Sequence, residues 1–167
     1  MTERFPLFYH QTGPIICAFR ARAILKSLET LPLRFKSQTQ SATATASELE
    51  MHNKVKRVYY PGLSSYRKKK PENRQTSVSG SIFALEINGG RENEFTFLNA
   101  LNLHLISGNL RGSMSLLTHS DITIHQDLSK QERALIDIKE GHLRISSGLE
   151  HQDDLIAYIL QALSHVS

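Results

Sequence analysis

The sequence predicts an α+β domain in which a mixed, mainly antiparallel sheet is covered by helices on one face. Three observations carry that prediction. From Ser81 to Ile87, Phe83, Leu85 and Ile87 alternate with Ile82, Ala84 and Glu86, as in a strand with one deeply buried face. From Asp153 to Val166, Leu155, Ile156, Ile159, Leu160 and Leu163 fall on one side of a helix. The order of all segments reads α-α-β-β-α-β-α-β-α, with helices at the ends and strands as neighbours between them. The size agrees: 167 residues suit one domain, and 40% apolar residues supply one core.

Residues 1–13 contain proline and aromatic side chains without periodicity and read as an irregular lead-in; 14–167 read as one domain. From Ala18 the pattern is helical, with Phe19, Ala23, Ile24 and Leu28 separated by basic residues. Pro32 breaks or restarts that helix, because proline suits a first turn and not an interior. A second helix runs from about Leu33 to His52, with a polar centre and a modest stripe of Ala42, Thr45, Ala46 and Leu49. Val55–Tyr60 is β-branched and aromatic, hence a strand, and Pro61-Gly62 ends it. Residues 63–78 read as a long polar loop around Arg67-Lys68-Lys69-Lys70. After Asn88-Gly89-Gly90 a helix begins near Glu92, with Phe95, Phe97, Leu98, Leu101 and Leu103 apolar. Ile106 to Ser120, punctuated by Gly108 and Gly112, reads as strand and turn. Ser129 caps a helix through Ile136, and His142–Ser146 is a short strand.

Composition excludes several classes. The 22% charged fraction is near the globular average, against global disorder. No stretch approaches the roughly 18–20 apolar residues of a membrane span, and the N-terminus carries no apolar signal region. The single cysteine, Cys17, has no internal partner and reads as a buried thiol; the reducing cytoplasm is the expected compartment. His119 and His125, six residues apart without a third ligand, do not make a zinc site, so no metal is expected. Ser113 and Ser115 have no neighbouring base and read as turn serines. The formal net charge of +4 is modest, and the Arg67–Lys70 run, with Tyr66 as its one aromatic neighbour, reads as a solvated loop rather than a nucleic-acid patch.

Five strings carry a resemblance: SLETLPLRF (27–35), VKRVYYPGLSS (55–65), GSIFALEINGG (80–90), SGNLRGSMSLLTH (107–119) and GHLRISSGLEHQDDLIAYILQAL (141–163). In this order and spacing the chain resembles the C-terminal domain of the cysteine/methionine-metabolism PLP enzymes, the trans-sulfuration group of cystathionine γ-synthase, cystathionine β- and γ-lyases and methionine γ-lyase. The resemblance implies the small C-terminal domain of a fold-type I PLP enzyme, without the large PLP-binding domain. In the family that large domain supplies the Schiff-base lysine and the aspartate on the pyridine nitrogen, upstream of the strings matched here. None of the nine lysines of this chain falls in such a motif. The resemblance therefore implies no catalytic and no cofactor-binding residue in this chain: PLP belongs to the family and is not expected on this chain alone.

What the domain contributes, by the same resemblance, is substrate binding. The arginine of the LRxSxG string is Arg144, which in the family holds the substrate α-carboxylate; a planar guanidinium offers parallel donors to two oxygens. Asn109 stands where relatives carry a pocket-lining serine. Arg111 replaces a glycine, Met114 a glutamate and Ser120 a proline. From pattern alone, Arg144 also suits a surface pair with Glu150, and Asn109 a turn beside Gly108. The expected function is a truncated or separately encoded C-terminal part of a trans-sulfuration enzyme, binding an amino-acid substrate only in a completed site. The alternative is a non-catalytic remnant acting as a protein interaction module. In either case a large-domain partner, or self-association through residues 5–31, is expected.

Overall fold

Pro32 decides where the first helix stops. Helix α1 (Ala18–Glu29) ends at Thr30, and α2 (Leu31–Glu50) takes Pro32 into its first turn, where the missing N–H costs nothing. Arg34 closes the junction, its Nη2 donating to the carbonyl of Ser27 at 2.7 Å and its Nε to Thr30 Oγ1 at 3.3 Å. The computed structural model describes residues 16–66, 74, 76–110, 112–123, 131–132 and 141–167. The 1–13 lead-in, Arg67–Lys70, Arg111 and His125 lie outside these residues. Of the 129–136 helix, Gln131 and Glu132 alone are described, and both are helical. Two compact units divide between Arg34 and Phe35.

In the first unit, α1 buries none of its residues. Cys17, expected to be a buried thiol, is exposed at the N-terminal end of this helix. Because α1 buries none of its own side chains, it brings no packed surface over the residue before its first turn.

The second unit is a five-stranded sheet: β1 (Val55–Tyr59), β2 (Ile82–Ile87), β3 (Leu105–Ile106), β4 (Leu116–His119) and β5 (Leu143–Ser146), in the order β1-β2-β5-β4-β3. All pairs are antiparallel except β3 with β4. Helices α2, α3 (Arg91–Asn99) and α5 (Gln152–Ser164) cover one face; a short turn of helix, α4 (Ser120–Thr123), follows β4. The expected alternation holds: Phe83, Leu85 and Ile87 are buried and pack with Ala42, Ala46 and Leu49 of α2 and Ile159, Ala162 and Leu163 of α5. Alanines at the α2 contact bring that helix close to the sheet without a large apolar face. Helix α3 stops at Asn99, short of the expected Leu103. There Asn102 turns aside to donate to Gln161 Oε1 at 2.9 Å, tying the connection to α5. Lys54 ties the same C-terminal end of α5, donating to the carbonyls of Leu163 (3.2 Å), Ser164 (3.3 Å) and Val166 (2.5 Å), where a cation complements the helix C-terminus.

Candidate functional site

Directly paired residues of neighbouring strands share a sheet face. Ala84 pairs with Arg144 and Arg144 with Thr118, so Arg144 projects from the face opposite the helices. Glu86, Tyr59 and Arg57 lie on that face as well, because Arg57 pairs with Glu86 and Tyr59 with Ala84. A register shift between Val55 and Arg57 bulges β1 there, and Lys56 also reaches Glu86.

Glu86 is buried, and alone in that position its carboxylate would be costly. It is satisfied three ways: by the Tyr59 hydroxyl at 2.5 Å, His142 Nε2 at 3.0 Å and Lys56 Nζ at 3.0 Å. Burial by itself pushes its pKa up, but the hydrogen bonds from Tyr59, Lys56 and His142 and the Lys56 charge outweigh it and hold the carboxyl at about 2. Arg57 stacks over the Tyr59 ring at 4.8 Å. This cluster locks the edge strand to β5 across β2. On the helix face, His119 Nε2 lies 3.0 Å from Glu94 Oε2, both buried, with Phe95 stacked on the imidazole. Gly141 has φ +91°, and a side chain there would meet Glu94 Oε1 at 2.3 Å, so glycine is required on two counts.

Arg144 and Asn109, the two residues singled out by sequence, come together. Arg144 Nη2 donates to the backbone carbonyls of Gly108 (3.0 Å) and Asn109 (3.1 Å) and approaches Thr118 Oγ1 at 3.4 Å. Among the described residues all its hydrogen bonds run through Nη2, and no carboxylate pairs with it. Burial lowers its pKa. Glu150, the carboxylate that pattern alone offered to Arg144, is engaged elsewhere: it accepts from the backbone N–H of Ser115 at 2.7 Å and from its hydroxyl at 2.8 Å. Asn109 is exposed in the turn after Ser107, its N–H donating to Ser107 Oγ at 3.2 Å. Beside it opens a cavity of about 620 Å³ lined by Leu105, Ile106, Leu110, Met114 and Leu116 among others. Ser115, read as a turn serine, is buried and takes the N–H of Gly148 on its hydroxyl. Among the described residues no cluster of three His, Cys, Asp or Glu side chains is placed to hold a metal.

The family model described as Cys/Met metabolism PLP-dependent enzyme matches residues 1–164. The chain belongs to that family. Among its trans-sulfuration relatives, the O-succinylhomoserine sulfhydrylase of Mycobacterium tuberculosis is 40% identical over 157 residues, 92% of this chain and 39% of the relative. Cystathionine γ-synthase 1 of Arabidopsis thaliana is 34% identical, covering 95% of this chain and 28% of the relative. The solved structure of a putative O-acetylhomoserine (thiol)-lyase from Campylobacter jejuni superimposes with a TM-score of 0.87 at 30% identity, covering 94% of this chain and 38% of that one. Cystathionine γ-synthase of Xanthomonas oryzae pv. oryzae, in complex with aminoacrylate and cysteine, gives 0.85 at 31% identity, covering 88% of this chain and 38% of that one. The chain thus spans about 39% of the length of the O-succinylhomoserine sulfhydrylases it matches.

PLP chemistry requires a free lysine amine and an acid for the pyridine nitrogen. The described residues hold four of the nine lysines and engage three of them. Lys26 pairs with Glu29, Lys54 caps α5, Lys56 pairs with Glu86, and Lys36 is exposed. The buried acids Glu86 and Glu94 already hold Tyr59, His142 and Lys56, and His119, respectively. Among the described residues no helix is long and apolar enough to cross a membrane.

Proposed function

We propose that this chain is the substrate-carboxylate-binding part of a trans-sulfuration PLP enzyme of the cystathionine synthase, lyase or sulfhydrylase type, acting in a reducing cytoplasm and inactive by itself. The observation that carries this reading is Arg144: a half-buried guanidinium, aimed by two backbone carbonyls, with no carboxylate beside it among the described residues. Its Nη2 is spent on the turn, which leaves the rest of the fork to meet the two oxygens of an amino-acid carboxylate. Asn109 contributes through its backbone, since its carbonyl aims that fork. Titration of the chain with L-cystathionine should show saturable binding that weakens at least about tenfold in Arg144→Ala, the loss of a charge-assisted bidentate contact. Equal affinity in the two proteins would refute the assignment. Incubation with PLP and borohydride should label no single lysine stoichiometrically. Stoichiometric labelling of one lysine, with lyase activity, would show that the chain holds the cofactor itself.

A second reading, an interaction module, is favoured by α1. Ile24, Leu25 and Leu28 are exposed together on one side of a helix that buries nothing, Leu25 at 64%, and Phe19 is 81% exposed on the other side. Contiguous apolar surface of this kind marks an interface, here with the large domain that the relatives carry or with a second copy. Phe19→Glu with Ile24→Lys should convert a self-associating chain to a monomer in sedimentation without changing the circular dichroism of the sheet. A wild-type chain that stays monomeric at high concentration would remove the reason for the partner.

A further inference from the structure

We propose that Gln38, on a helix that forms no part of the carboxylate site, is a positioning residue for it; the proposal rests on the reading of Arg144 given above. Gln38 lies in the polar centre of α2 and is 5% exposed, so its amide must find partners inside the fold. Its Nε2 donates to the carbonyl of Gly112 at 2.8 Å. Gly112 belongs to the connection between β3 and β4 that also carries Gly108 and Asn109.

The two ends of that connection are fixed by the sheet and by the turn after β5. Ser107 N–H donates to the Leu117 carbonyl at 3.0 Å, and Leu149 N–H to the Ser113 carbonyl at 2.8 Å. Glu150 holds Ser115 through two hydrogen bonds. Gly148 packs so closely that a Cβ there would stand 2.5 Å from Met114 C and Ser115 N, which are backbone atoms that cannot swing away. Between these anchors, among the described residues, two side chains from other elements hold the stretch: Gln38 on Gly112, and Arg144 on Gly108 and Asn109. The dependence is mutual. Arg144 is aimed by the carbonyls of a segment flanked by two glycines, and such a segment wanders unless it is pinned. Gln38 is the pin that does not itself touch the ligand.

The test uses the full chain with nitrogen-15 labelling, reading the Arg144 Nε–H signal and the Gly108 and Asn109 amides. Gln38→Met and Gln38→Glu both keep the length of the side chain and lose the donor; Gln38→Lys keeps a donor of similar reach. Both donor-less variants should shift or broaden the Arg144 and turn signals while the β2 and β5 amides stay in place. L-cystathionine binding should weaken about five- to tenfold, the worth of one hydrogen bond, and Gln38→Lys should restore both readouts. An Arg144 signal unmoved in Gln38→Met and Gln38→Glu, or a Gln38→Lys protein that behaves like them, overturns the proposal and leaves the reading of Arg144 standing. Cystathionine binding that survives Arg144→Ala overturns that reading and the proposal together.

Discussion

Phe83→Ala is expected to destabilise the protein by about 3–5 kcal/mol, the range for emptying a large aromatic from a packed core. Phe83 is 2% exposed, pairs across the sheet with the fully buried Ile145, and meets the Tyr60 ring edge-on at 6.1 Å. Tyr60 cannot collapse into the space left behind. Its hydroxyl donates to the Gly80 carbonyl at 2.8 Å and lies 2.9 Å from Thr43 Oγ1, which fixes the ring from two sides. The cavity therefore persists, and the cost lies in the upper part of the range. Ile82→Ala, one residue earlier on the opposite face, is half-buried and should cost clearly less. Midpoints of urea unfolding at constant slope measure both. Equal losses at the two positions would mean that the alternation of β2 does not decide which residue is core.

That alternation is the reason β2 was legible in the sequence: six residues obey one period and nothing competes with it. The same holds for α5, and for Pro32, whose missing N–H places a helix boundary by itself. The polar constellations were not legible, because each joins residues far apart in the chain by one hydrogen bond. Glu86 reads as an ordinary outward residue of β2. Nothing local announces that Tyr59, His142 and a bulged Lys56 converge on it and let it be buried. Gln38 in SQTQS looks like helix surface, and its value comes from Gly112, which topology brings to it. Arg144 was found through its string, whereas its freedom from Glu150 follows only from where Ser115 stands. The exposure of Cys17 is illegible for a related reason: whether a residue at a helix start is covered depends on what packs there, and sequence period does not report it.

Stability should fall in two separable stages on acidification. His104 is 5% exposed, its Nδ1 finds no hydrogen-bond partner among the described residues, and burial lowers its pKa from 6.5 to about 4, against the opposing pull of Glu150. The folded state therefore keeps this imidazole neutral where the unfolded chain already binds a proton. Stability is fully present above pH 6.5 and is lost as pH falls towards 4, by about 3 kcal/mol in all. Glu86 acts lower on the scale. Its carboxyl titrates at 4.5 in the unfolded chain and at about 2 in the fold, so its contribution is present above pH 4.5 and is lost between there and pH 2, again by about 3 kcal/mol. Together the two losses rival the whole stability of a typical domain, about 5–15 kcal/mol, which places acid unfolding below pH 4. The stages can be removed one at a time. His104→Leu should flatten the curve between pH 6.5 and 4 and leave the lower stage intact. Glu86→Gln should lower stability near neutrality, because the neutral amide gives Lys56 no charge, and should flatten the curve below pH 4.5. Urea unfolding from pH 7.5 down to 3 measures both slopes. A His104→Leu curve parallel to the wild type above pH 4 would show that another group carries the upper stage. A slope below pH 4.5 that survives Glu86→Gln would show that the Tyr59–His142–Lys56 cage does not hold the carboxylate ionised.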